Sequence, residues 1–163
     1  MKTEDNLKKA FAGESQANRK YLAYAERAEK ENLPGVAKLF RAAAAAETVH
    51  AHKHLSVMQG ATTTRQNLED ALAGEIHEFK SMYPQMIADA EAETAKQALM
   101  SFKYANEVEQ VHANLYQKAL DLMDKLPVED YYVCKICGYT VAQEAPDKCP
   151  VCGANKQNFF KVD

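Results

Sequence analysis

Four long helix-forming stretches each place a glutamate where the helical repeat calls for an apolar residue. In the first, Leu7, Phe11, Glu14, Asn18 and Tyr21 share a stripe; in the second, Phe40, Ala43, Glu47, His50 and His54 do. The third gives Leu68, Leu72, Glu75, Phe79 and Met82, and the fourth Leu99, Phe102, Asn106, Glu109 and Tyr116. Such a stripe normally faces the core. His50 follows Glu47 by one turn, His112 follows Glu109, and Glu78 follows Glu75. Five carboxylates and two imidazoles thus point inward with no matching set of inward Lys or Arg. An unpaired buried carboxylate costs several kcal/mol or takes up a proton. Two divalent cations neutralise four of the five charges, and Glu and His at i, i+3 can grip one ion from one helix face. A Glu from each of two helices with a Glu-x-x-His from each of the other two is a dinuclear metal pattern of helical bundles.

The helices are predicted over 3–31, 34–59, 68–93 and 94–126. Pro34 suits a first helical turn, Gly60 lies past an end, Asn67 is a candidate N-cap, and Pro84 is expected to bend the third helix. The first 126 residues hold only four Gly, two Pro and no Cys, and are rich in good helix formers. They also repeat. Phe11-Ala-Gly-Glu14 returns as Leu72-Ala-Gly-Glu75, and 33 residues separate Glu14 from Glu47 against 34 from Glu75 to Glu109. The chain reads as two copies of one helical hairpin, with Gly13 and Gly74 expected where helices approach closely.

Composition changes at Pro127. The tail carries all four cysteines as Cys134-Lys-Ile-Cys137-Gly and Cys149-Pro-Val-Cys152-Gly. So short a segment rarely folds without a metal or disulfide, and two C-x2-C-G knuckles predict tetrahedral S4 coordination of iron or zinc. Spacing alone does not choose between them, and a structural zinc ribbon stays open. Met82 and Met86 read as core filler. His54 reads as packed or hydrogen-bonded, His52 as pointing elsewhere, and His77 as exposed. The net charge of −3 gives no footprint for nucleic acid. No apolar run is long enough for a membrane helix, and the first residues lack a secretory pattern, so a cytoplasmic location is expected.

Phe-Ala-Gly-Glu14-Ser-Gln-Ala, Glu47-Thr-Val-His50, Gly-Glu75-Ile-His-Glu78 with Met82-Tyr83-Pro84, and Glu109-Gln-Val-His112 resemble the motifs of the rubrerythrin family. The resemblance covers the whole chain. It implies an all-α four-helix ferritin-like bundle over residues 1–127, then a small rubredoxin-like β domain over 128–163. It also implies a di-iron centre on Glu14, Glu47, His50, Glu75, Glu78, Glu109 and His112, and one iron on Cys134, Cys137, Cys149 and Cys152. Glu47 and Glu109 take the place of bridging ligands, and Glu14 and Glu75 of terminal ones. His112 stays on one iron, while the other exchanges Glu78 for His50 on redox change. Tyr21 and Tyr83 match tyrosines that hydrogen-bond the carboxylates. The implied activity is a non-heme peroxidase of oxidative-stress defence that reduces hydrogen peroxide to water. No G-x-G-x-x-G occurs, so the electrons must come from a separate reductase or rubredoxin, in the manner of an NADH peroxidase.

One feature departs from a ferritin-like bundle, which needs a long crossover between its hairpins. The second helix is roughly 38 Å long, whereas the eight residues 60–67 span at most roughly 26 Å. A helix-swapped homodimer is therefore expected, each metal pair drawing on both chains. Two other readings share much of this pattern: a ferroxidase or iron-storage protein, and a non-enzymatic helical scaffold with a zinc-ribbon interaction module.

Overall fold

The computed structural model describes residues 1–162. Two compact units divide it, one ending at Thr62 and the other starting at Thr63.

The first unit is a helical hairpin, α1 (Lys2–Lys30) and α2 (Pro34–Val57). The turn between them closes through Asn32 at φ 58°, a left-handed position that Asn tolerates. Alanines make the seam: Ala25 and Ala28 of α1 and Ala37, Ala44 and Ala51 of α2 are all buried. The seven-residue spacing of the α2 alanines keeps one small-residue face on the partner helix. Asn18 fastens the seam, its Nδ2 donating to the Ala44 carbonyl at 2.8 Å and to Thr48 Oγ1 at 2.9 Å. Larger apolar groups remain outside; Leu39 is 68% and Val49 66% exposed.

The second unit begins with α3 (Thr64–His77). This helix starts four residues before the predicted position. Thr63, not Asn67, is the N-cap, in a capping box with Gln66: the Gln66 N–H donates to Thr63 Oγ1 at 3.3 Å, and the Thr63 N–H reaches back to Gln66. Thr-x-x-Gln is a readable start signal, masked in the sequence because the apolar stripe begins only at Leu68. The predicted bend at Pro84 takes another form. Proline lacks an N–H and its ring crowds the carbonyl four residues back; the chain widens into a π turn over Glu78–Met82, then resumes as α4 (Tyr83–Ala92). Such turns recur at functional sites. Thr94, at φ 57°, ends α4 without Gly or Pro, and α5 runs over Lys96–Leu122.

Past Pro127, β1 (Tyr131–Cys134), β2 (Thr140–Ala142) and β3 (Phe159–Val162) form an antiparallel sheet in the order β2-β1-β3. Gly138, at φ 85°, makes the turn after the first knuckle and lies over Val108 of α5. Two expectations fail. A Cβ on Gly13 or Gly74 would meet nothing within 4 Å, so neither glycine marks a close approach inside its own hairpin; the seam is made by alanines instead. Met86, past the π turn, is 36% exposed in the single chain rather than core. Among the described residues, no helix is long and apolar enough to cross a membrane.

Replacing Thr63 by Ala is expected to lower stability by about 1 kcal/mol, with Thr63→Ser nearly neutral. Urea unfolding of the metal-loaded protein measures it.

Candidate metal centres

Each unit brings one carboxylate–imidazole triad together. In the first, Glu14 of α1 meets Glu47 and His50 of α2, with ligand-capable atoms within 4.8 Å of one another. The Nδ1 of His50 lies 2.9 Å from Glu47 Oε2. In the second, Glu75 of α3 meets Glu109 and His112 of α5. His112 Nδ1 is 2.8 Å from Glu109 Oε2 and 3.7 Å from Glu75 Oε1. The helical i, i+3 spacing alone sets each Glu–His pair; hairpin packing delivers the third member.

The carboxylates sit half-buried on the inner faces, Glu109 at 14% and Glu75 at 18% side-chain exposure. Burial, a hydrogen bond with Glu109, and the charges of Glu109 and Glu78 push the Glu75 carboxyl up to about 7. Its Oε2 is buried without a partner. An orphaned carboxylate oxygen facing a second carboxylate and an imidazole is the environment a divalent cation relieves. Glu78 begins the π turn just outside the triad; burial and the charge of Glu109 raise its carboxyl too.

Tyr83 stands close enough to the carboxylates that burial and the charges of Glu109, Glu78 and Glu75 raise its phenol. Its ring leans on Phe102, centroids 6.4 Å apart. Tyr21 instead belongs to an aromatic cluster with Tyr24 and Phe40. One neighbour of the site, Tyr116, falls in the apolar stripe of the fourth helix in the sequence. Burial and the charges of Glu75 and Glu109 raise the Tyr116 phenol, and its position seven residues after Glu109 was the available signal. Tyr116 also lines a cavity of about 450 Å³ with Glu75, His112, Leu68, Leu115 and Thr140. Of the other histidines, His77 and His52 are exposed and His54 is half-buried.

The four cysteine sulfurs form the third cluster. Cys134 and Cys152 are 3.7 Å apart and Cys137 and Cys149 3.5 Å. A tetrahedron with 2.3 Å metal–sulfur bonds has edges of about 3.8 Å, so the cage has the size of one ion. Burial raises the thiols of Cys137 and Cys152. At Cys134 burial is outweighed by backbone N–H groups of Cys137 and Ile136, and the thiol is lowered. A cation inside the cage lets all four ionise together.

In the metal-free protein, folded Glu75 holds its proton to higher pH than the unfolded chain does. The folded state then binds more protons between about 4.5 and about 7, so stability falls as pH rises through that window. Urea unfolding of metal-free protein at several pH values is expected to show this decline, and Glu75→Gln to flatten it.

The sequence model of the Rubrerythrin family matches residues 5–120, and that of the rubrerythrin rubredoxin-like domain matches 132–160. Rubrerythrin-2 of Clostridium acetobutylicum is 36% identical over 96% of this chain and 95% of its own length. Nigerythrin of Nitratidesulfovibrio vulgaris is 34% identical over 96% and 85%. A solved nigerythrin in its fully reduced, all-ferrous state superposes with a TM-score of 0.61 at 33% identity, over 98% of this chain and 86% of that one. The cofactors are accordingly a di-iron centre and one iron held by Cys134, Cys137, Cys149 and Cys152. With its carboxylate helices and its thiolate cage each matched in the same order, this chain belongs to the rubrerythrin family.

Proposed function

We propose that the protein is a non-heme di-iron peroxidase of oxidative-stress defence. It reduces hydrogen peroxide with two electrons and two protons to two waters. The observation that carries this reading is the Glu75–Glu109–His112 triad, with Glu78 poised beside it and a one-electron thiolate cage in the same unit. Two ferrous ions would supply both electrons for one O–O cleavage and stabilise the oxide charge that develops. Glu14, Glu47 and His50 would complete the ligand set, with Glu47 and Glu109 bridging and Glu14 and Glu75 terminal. The π turn under Glu78 leaves that carboxylate outside the triad, where it can approach or give way to His50. The Tyr83 phenol, kept neutral by its surroundings, can donate a hydrogen bond to a carboxylate of the pair, with Tyr21 in the matching role on the other hairpin. Electrons come from a separate reductase or rubredoxin. Thiolate ligation needs reduced cysteines, which fits the cytoplasm.

The same reading includes a helix-swapped homodimer. The link between α2 and α3 is only Met58–Thr63, six residues spanning roughly 20 Å. The 24 residues of α2 cover roughly 36 Å. A hairpin repeated in sequence, with half a ligand set on each copy and apolar groups such as Leu39 and Val49 exposed, can complete itself on a second chain.

Two experiments test these points. In fully reduced, iron-loaded protein the pair is expected to be oxidised by one peroxide, faster than by oxygen, and the third ferrous ion to bring the full titration to about 1.5 peroxides per chain; Glu78→Gln should slow the peroxide reaction roughly tenfold or more while both irons stay bound. Oxidation that prefers oxygen would point to a ferroxidase, and loss of metal in the variant would make Glu78 structural. The swap is read by mixing chains. An E47Q chain paired with an E109Q chain leaves one wild-type site in a swapped dimer and none in an unswapped one. Recovery of up to half the wild-type rate in isolated heterodimers is expected; no recovery refutes the swap.

A further inference from the structure

One hydroxyl joins the two chemistries of the second unit. His112 Nε2 lies 3.1 Å from Thr140 Oγ1, and that oxygen lies 3.0 Å from the Gly138 carbonyl oxygen. A hydroxyl owns one hydrogen, and a carbonyl can only accept. Thr140 therefore donates to Gly138 and accepts from the imidazole. That makes Nε2 the protonated ring nitrogen. It leaves Nδ1, which faces Glu109 and Glu75, as the atom available to a cation. The peptide that receives the Thr140 hydrogen continues the line: its Tyr139 N–H donates to the sulfur of Cys137.

We propose that Thr140 is a positioning residue that fixes the His112 imidazole for metal binding through Nδ1 and ties it by unbroken hydrogen bonds to the thiolate cage. The inference rests on both centres holding metal, as in the function proposed above. A metal-bound histidine ordinarily directs its other N–H to a partner that sets its tautomer and orientation; here the partner belongs to the neighbouring β strand. The links point the same way, His112 N–H to Thr140, Thr140 O–H to Gly138 and Tyr139 N–H to Cys137, so each polarises the next. The knuckle is held in place from below, Gly138 lying over Val108, one turn before His112 on α5. With iron in both centres, the hydrogen-bonded line His112, Thr140, Gly138, Tyr139 and Cys137 would offer a short route for one electron from the cage to the pair. No atom moves.

The alternative is that Thr140 only braces the knuckle turn. Full-length protein loaded with zinc at both centres, which cannot undergo redox chemistry, separates the two through long-range proton–nitrogen NMR of the imidazoles. Wild type is expected to show His112 protonated at Nε2 with that proton protected from exchange. Thr140→Val should speed the exchange roughly tenfold or more, and Thr140→Ser should restore protection. In iron-loaded protein oxidised by one equivalent of peroxide, the visible band of the ferric thiolate centre should then grow roughly tenfold more slowly in Thr140→Val, with oxidation of the pair unchanged. Unaltered His112 exchange in Thr140→Val overturns the proposal, as does a slowing that merely tracks loss of the cysteine-bound metal. Failure of peroxide consumption with the zinc result intact would instead remove the peroxidase reading and leave the role of Thr140 standing.

Discussion

Negative charge on the inner faces of helices is the constraint from which the rest follows. A helix gains its tertiary stability from an apolar stripe, and Glu14, Glu47, Glu75 and Glu109 each interrupt one. Left alone, these groups repel one another; Glu75, with its orphaned oxygen and upward-shifted carboxyl, shows the tension within one unit. Cations held there would resolve it, and the metal centres would then belong to the folding problem as much as to the chemistry. The thiolate cage obeys the same logic in miniature. Its three short strands bury little, and four sulfurs at metal-sized separations supply what the apolar core lacks.

The hairpins solve the constraint in matching ways but with different seams. In the first, heptad-spaced alanines let α1 and α2 approach, and Asn18 ties them. In the second, the chain widens at Glu78–Met82 before Pro84. Glu78 opens that turn beside the triad, and Met86 beyond it is partly exposed in the single chain. The eight-residue spacing of Tyr83 from Glu75, against seven for Tyr21 from Glu14, is the trace of that wider turn in the sequence.

Attachment of the thiolate cage to α5 gives the second unit its working character. Gly138 needs its left-handed conformation to make the knuckle, and a Cβ built on it would lie 3.8 Å from Val108 of α5, so the turn rests near that helix. The hydroxyl of Thr140 then falls within reach of His112. A strand resting on the helix that carries Glu109 and His112 sets the spacing between the cage and that triad more rigidly than a tether could.

Much was legible from local rules. The i, i+3 Glu–His pairs, the C-x2-C-G knuckles and the hairpin repeat are short-range patterns whose geometry the backbone imposes, so both Glu–His pairs and the four cysteines could be named before any fold was known, whereas their grouping into two triads came from packing. Helix ends were legible only in part: the box at Thr63–Gln66 was readable, whereas the break at Thr94 carries no Gly or Pro. What only tertiary structure decided are relations across distance: the π turn, the half-buried setting that raises Glu75, the nearness of Tyr116, and the contact between His112 and Thr140, 28 residues apart. Chain sequence fixes which groups are available at each helical face. Which of them meet depends on how whole elements pack, and that is settled by the summed contacts of the fold rather than by any local pattern.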